Sequence, residues 1–454
     1  MLLLRGERKN FARVGHAFCA VAVGVSLYDE CRLNQAERKV CQSMSNVRTL
    51  LGNRFIQSLL VSGLFLQMGI WVRNFAILLF VSEQTNKDPI AISMISVAEF
   101  GPIFLFSFIG GAFADRWKPK RTMVLCDILS SMSVFAVLFA LAFGGWKAIF
   151  FATLVSSILS QFSQPSSMKL FKLHVPESLM QIGMSLYQTL TSVFMILGPM
   201  LGTVIYLQFG IYTAISIMGV CFLLSAAVLA FLPKDQEAER RTDSRLLNEL
   251  KLGFRYVRSK PIFLYMAGFY LAAGLALGIL NPMGIYLVTE NLDLRSEALQ
   301  WFTAMNGLGI IVGGVTVMGL SKKHSPQSML IFGFFMSGIS IAILGTTSMV
   351  WLALIAQLVS GIMVPLIHIA CNTLVINNTE QDFVGRVNGI MSPLFIGGMV
   401  IDMAIVGFLK ESLPLGGIYL LAAGLFVIGG FAALPLIRHK QSHSQVKHGH
   451  MMHH

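Results

Sequence analysis

The chain has 454 residues, 55% hydrophobic and 12% charged, with mean hydropathy +0.70 and net charge +12. A water-soluble domain carries about 25% charged residues, so this composition excludes one and specifies a protein that lives in the lipid bilayer. The bases sit in short segments between apolar runs, where they act as topology signals, and no nucleic-acid partner is expected.

Residues 1–45 read as an N-terminal extension, disordered or outside the native start, with Met44 the expected initiator. Its apolar piece AFCAVAVGVSLY is too short to cross a membrane, and no cleavage site follows it. Twelve apolar stretches come next, at about 54–82, 89–114, 121–144, 147–169, 184–207, 210–232, 261–288, 299–320, 327–346, 349–372, 386–409 and 415–437. Each is long enough to cross a hydrocarbon core of about 30 Å as a helix. Barrel strands, about 10 residues of strict alternation, do not fit. The fold class is therefore all-α integral membrane, with twelve transmembrane helices.

The longest polar interruption follows the sixth span. It divides the chain into a first six-helix bundle (46–232), a cytoplasmic linker (233–260), a second six-helix bundle (261–438) and a His-rich tail (439–454). Within the linker, LLNELKLGFRYV has helical periodicity and suits a short helix on the membrane surface. The tail RHKQSHSQVKHGHMMHH could bind a metal by composition, but it reads as a soluble cytoplasmic tail, and no metal site is assigned. The six cysteines show neither metal nor disulfide spacing.

Orientation follows from the loops. Of the 34 lysines and arginines, Lys87, Lys147, Arg295 and Lys410 lie in loops after odd-numbered spans, and Arg73 lies inside a span. The others cluster in the even-numbered loops and at the ends, which puts both termini in the cytoplasm. The halves repeat weakly. KLFKLHVPESLMQIGMSLYQ and TLVINNTEQDFVGRVNGIMS each have an apolar stem, a polar turn, and then Gly183 or Gly385 opening the next helix. GLSKKHSPQSM is the counterpart of the basic turn after span two. Internal repeats of this kind mark proteins that rock one half against the other.

That basic turn reads GGAFADRWKPKRT. With twelve spans in a 6+6 arrangement, it resembles the signature of the major facilitator superfamily: Gly111, then Asp115-Arg116, then the bases Lys120 and Arg121. The general signature has a second glycine where this chain has Lys118-Pro119. That departure, with Trp117, is similar to the macrolide-efflux branch of drug:proton antiporters. QFSQPSSMKLFKLHVPESLMQIGMSL, LGPMLGT and GRVNGIMS support the same branch, and the resemblance covers about residues 46–438. It implies a secondary active transporter that exports amphiphilic, macrolide-like drugs in exchange for protons by alternating access. The alternatives are export of a metabolite such as a siderophore or lipid, and proton symport for uptake. It also implies a monomer in the plasma membrane of a bacterium.

The resemblance implies a conformational latch at the cytoplasmic end, where Asp115 faces the positive start of span eleven at Gly385 and Arg386. Asp127 is expected to extend that network toward Arg121 or Arg116, or else to snorkel to the interface. Gly198, Pro199 and Gly202 form a helix-kink motif, since proline removes a backbone bond and glycine permits close approach; in antiporters this motif seals the cavity.

Three charges lie deep in spans, where each is costly unless paired or facing water: Arg73, Glu99 and Asp402. Counting from the turn at Thr85–Asn86 places Arg73 and Glu99 at matching depth, about 20 Å along antiparallel helices. Span eleven is near span two in the family fold, so the three are expected to form a proton-coupling cluster. By the same resemblance the substrate path follows spans one, four, seven and ten, with candidate liners Gln67, Gln161, Gln164, Tyr270, Asn281 and His368. Neither a phosphate-binding GxxxxGK[ST] loop nor a nucleophile constellation is present. No cofactor and no enzymatic activity are expected.

Overall fold

The computed structural model describes residues 53–175, 177–232, 246–321, 323–380 and 383–436. Within its helices, the side chains of 107–116, 172, 177, 178, 181, 246–250 and 318 lie outside the described residues. So do the N-terminal extension, most of the linker, and the His-rich tail.

Twelve α-helices are described. The first half holds α1 Arg54–Gln84, α2 Pro89–Arg116, α3 Pro119–Ala142, α4 Ala148–His174 and α5 Glu177–Ala230. The linker contributes α6 Leu246–Ser259. The second half holds α7 Pro261–Tyr286, α8 Leu299–Leu320, α9 Pro326–Thr346, α10 Val350–Asn378, α11 Val384–Ser412 and α12 Leu415–Ala433. A π-helical turn, Leu287–Asn291, extends α7.

Local chemistry sets the starts. Pro119, Pro261 and Pro326 occupy the first turn of α3, α7 and α9, where a missing N–H costs nothing. Asn53 accepts from the Phe55 amide at 2.9 Å to cap α1, and Asp88 accepts from the Ile90 amide at 2.9 Å at the start of α2.

Spans five and six form one uninterrupted assignment, broken only at Gly210, where φ is 74° and ψ is −179°. A side chain is strongly disfavoured in that region, so one glycine turns the chain without a loop. Among the described residues ten helices are long and apolar enough to cross a membrane, and one of these, Ile182–Ala230, holds both spans. α4 is not among the ten. Its 27 residues are ample for a crossing, but its serines and glutamines dilute its hydropathy. Two ends differ from the expected spans: α4 runs on to His174 and α10 to Asn378. Gly183 lies inside α5 rather than at its start, with the Phe171 ring packed over it.

In the first half, α1 packs on α5, α2 on α4, and α3 on both α4 and α5. In the second, α7 packs on α11 and α12, α8 on α10, and α9 on α10 and α12. With α5 read as spans five and six, these are the same pairings displaced by six spans. Large apolar side chains such as Phe139, Phe151, Val315 and Ile376 point outward, as lipid-facing positions must.

The halves meet along α2 with α11 and α5 with α8. Glycines bring these backbones together. Gly407 abuts Pro89 and Ile90, Gly397 lies under the Phe104 ring, and Gly307 meets Met195 and Ile196. At the end carrying the turn between spans one and two, the Tyr286 hydroxyl donates to the Lys87 carbonyl at 2.8 Å. On the opposite side of the second half, α6 docks on the start of α11. Tyr256 stacks on Phe383 with ring centroids 4.3 Å apart, and Lys260 pairs with Glu380 at 3.2 Å.

Candidate functional site: a polar cavity in the first bundle

Span four carries SSILSQFSQPSS. Ser156, Ser160, Ser163 and Ser167 recur at helical spacing and share one face. That face forms one wall of a cavity of about 260 Å³. α1 supplies the opposite wall through Ser62, Gln67 and Arg73. α2 contributes Glu99, α3 contributes Cys126, Asp127 and Ser130, and α5 contributes Tyr187 and Phe222.

Arg73 is 4% exposed. Its Nη2 lies 3.5 Å from Glu99 Oε1, and its Nε donates to Asn74 Oδ1 at 2.9 Å. Asn74 Nδ2 completes the triangle by donating to the same Glu99 oxygen at 2.9 Å. Ser157 of α4 donates to the Glu99 carbonyl, tying α2 to the serine face. A charge taken out of water needs such partners. The matching depth expected from the sequence is what places Arg73 and Glu99 together.

Asp402 does not join them. It packs against Gly278 of α7, where a Cβ built on that glycine would stand 2.9 Å from Asp402 Cβ. It makes no ion pair with any described residue. Depth along the membrane was right for a cluster, but the direction in which α11 presents residue 402 was not.

Asp127 differs from expectation as well. It is 3% exposed and neither snorkels nor reaches the basic turn. Ser225 Oγ, itself fully buried, donates to Asp127 Oδ2 at 2.6 Å, and Ser62 Oγ lies 2.8 Å from Ser225 Oγ. The reason is geometric: α3 turns this residue toward α1 and α5.

Gln67, Gln161 and Gln164 line the cavity as expected, with Gln67 Nε2 donating to Thr191 Oγ1 at 3.2 Å. Tyr270, Asn281 and His368 do not line it. Tyr270 hydrogen-bonds Cys371, Asn281 accepts from Ser96 of α2 at 3.4 Å, and His368 lies 3.2 Å from Asn372. The Asn281–Ser96 bond crosses between the halves. The serine face of α4 and the Ser62–Ser225–Asp127 chain are the polar features that sequence reasoning passed over; the recurrence of serine on α4 was visible in the spacing.

The helix-kink motif sits where α5 meets α1. A Cβ on Gly198 or Gly202 would fall closer than 3.0 Å to Trp71 or to Phe75, respectively. At the turn after span two, the side chains of Gly111, Asp115 and Arg116 lie outside the described residues. Lys120 donates to the carbonyls of Ala230 (2.9 Å) and Leu232, capping the end of α5. Arg121 is exposed. Gly385 is open, and the Arg386 guanidinium lies 4.9 Å over the Phe383 ring.

Comparison with known proteins agrees with this architecture. The chain is 24% identical over 371 residues to the multidrug efflux pump Tap of Mycolicibacterium fortuitum, covering 78% of this chain and 90% of Tap. It is 23% identical over 372 residues to the enterobactin exporter EntS of Shigella boydii, covering 76% and 84%. Its fold superposes on the nucleoside transporter NupG with a TM-score of 0.71 at 15% identity or below, over 84% of this chain and 99% of that one. The family model described as Major Facilitator Superfamily matches residues 59–287 and 267–450. The chain is a multi-pass membrane protein, a transporter rather than an enzyme, and it belongs to the major facilitator superfamily.

Proposed function

We propose that this transporter exports amphiphilic compounds across the plasma membrane of a bacterium in exchange for protons, with both termini in the cytoplasm. The observation that carries the reading is the cavity itself. It joins hydrogen-bonding serines and glutamines to apolar walls, the mixture that suits a ligand with a greasy body and a few polar groups. Likeness to Tap supports drug efflux, and the turn GGAFADRWKPKRT supports the macrolide-efflux branch.

Coupling is assigned to Arg73 and Glu99, with Asp402 as a separate acid on the second half. A carboxylate beside an arginine holds its proton less tightly than one alone. Rocking that lengthens the 3.5 Å contact changes proton affinity on one side relative to the other. Asp115, with Gly111, Arg116, Lys120 and Arg121, latches the halves against Gly385 and Arg386, and Gly198, Pro199 and Gly202 seal the cavity. The working unit is a monomer.

A second reading has its own support. The hydroxyl-rich wall of α4 suits a substrate dense in hydrogen-bonding groups, and likeness to EntS favours a siderophore. An efflux panel of drugs and siderophores in a host stripped of exporters, with and without a protonophore, tests both. Export unaffected by the protonophore sinks proton coupling; export of siderophores alone selects the second reading.

A further inference from the structure

We propose that Asp127 is a proton-binding site internal to the first bundle, closed by Ser225 and Ser62, whose occupancy is tied to how α1 packs against α3 and α5. Its use in transport rests on the proton-coupled reading above; the presence of a proton there does not.

The geometry comes first. Three polar side chains from three segments form a single file: Asp127 on α3, Ser225 on α5 after Gly210, and Ser62 on α1. Their exposures are 3%, 0% and 1%. The acid also borders the cavity, between Cys126 and Ser130, so water can deliver a proton to one side of it. The other side is shut.

No cation balances this acid among the described residues. Cys126 adjoins it, and Cys221 sits one turn along α5 against Gly69. Arg73 and Glu99 are joined to each other, and Tyr187 lines the cavity from α5. On α4, His174 stacks on Phe55 with centroids 4.2 Å apart, and Lys169 reaches the Trp117 carbonyl. On its own helix, Lys120 caps α5. A buried carboxylate without a counter-charge costs several kcal/mol unless it neutralises.

The file is too poor a cage for a metal cation, which needs about six or more oxygens for the hard ions. Its burial leaves no space for an ammonium. A proton needs only one oxygen. With Asp127 ionised, the single Ser225 proton points to Oδ2, so Ser62 must donate to Ser225. With the proton on the carboxyl, Asp127 can donate to Ser225, which then donates to Ser62. One proton added reverses the file, and no other bond is made or broken. Because Ser62 belongs to α1 and Asp127 to α3, a shift between these helices breaks the file and changes the acid's hold on its proton.

The test uses the full chain in lipid vesicles and reads the carboxyl C=O band by infrared difference spectroscopy while pH is stepped over about 4 to 10. A titrating carboxyl band is expected in the wild type, lost in Asp127→Asn and kept in Glu99→Gln. Ser225→Ala and Ser62→Ala should keep the band and shift its midpoint, which also covers the case in which Asp127→Asn fails to insert. A band that persists in Asp127→Asn, or a midpoint indifferent to both serine changes, overturns the proposal. A wild type without a titrating band overturns it as well. Substrate-driven proton movement, followed with a pH dye in the same vesicles, is read separately. If the wild type shows none, the proton-coupled function fails while the infrared result still decides whether Asp127 binds a proton.

Discussion

Trp71 occupies the space that a side chain at residue 198 would need: a Cβ built on Gly198 would fall closer than 3.0 Å to the indole. One turn along, Phe75 stands in the same relation to Gly202. Two aromatic residues four apart on α1 therefore sit on two glycines four apart on α5. Gly198→Ala should lower the thermal stability of the purified transporter by about 1–3 kcal/mol, the usual cost of overpacking. Combining it with Trp71→Ala should restore part of the loss, since the clash is with a side chain. Equal melting temperatures for Gly198→Ala and wild type would show that the motif only bends the helix.

The second bundle reverses the arrangement. There the glycines, Gly274 and Gly278, are on α7, and they face backbone atoms of Phe395 and Met399 on α11. A methyl at Gly278 meets a main-chain carbonyl that no side-chain truncation can remove. Gly278→Ala should thus be at least as damaging as Gly198→Ala and should resist rescue by Met399→Ala. Abundance in the membrane and detergent melting curves measure both.

The Arg73–Glu99 pair is enclosed but borders the cavity, with Glu99 24% exposed. Breaking a fully buried pair costs about 3–5 kcal/mol; the wet side lowers the expectation to about 1–3 kcal/mol for Glu99→Gln, which strands the Arg73 charge. Replacing both by apolar residues should recover stability without recovering transport. Coupling is tested in vesicles: proton-driven efflux that is unchanged in both Glu99→Gln and Asp402→Asn would refute the assigned coupling roles.

At the turn after span two, the acid and the bases are expected to separate by phenotype. Neutralising Lys118 and Lys120 should reduce insertion and abundance, since the bases set topology and Lys120 caps α5. Asp115→Asn should insert normally and slow transport several-fold. Normal transport by Asp115→Asn would leave the turn as a topology signal alone.

Tyr286 holds the halves together at the end carrying the turn between spans one and two, through its 2.8 Å bond to the Lys87 carbonyl. Loss of one such hydrogen bond is worth about 1 kcal/mol, about a five-fold change in a two-state equilibrium. Tyr286→Phe should increase labelling of a cysteine placed in the cavity by an impermeant maleimide added from that side. Unaltered labelling would show that the bond does not hold the closed state.

The sequence by itself determined the spans, their order, the 6+6 repeat and the pairing of Arg73 with Glu99. These are local or countable properties: apolar length fixes a crossing, and 1.5 Å per residue fixes depth. Rotation about each helix axis was left to the tertiary structure. Lipid-facing and bundle-facing positions are both apolar in a membrane, so the inward face carries little compositional signal. That is why Asp402, right in depth, turned out to pack on Gly278, and why Asp127, near the basic turn in sequence, found Ser225 at a separation of 98 residues. Trp71 upon Gly198 belongs to the same class of fact. It depends on the angle at which α1 meets α5, which only the packed bundle decides.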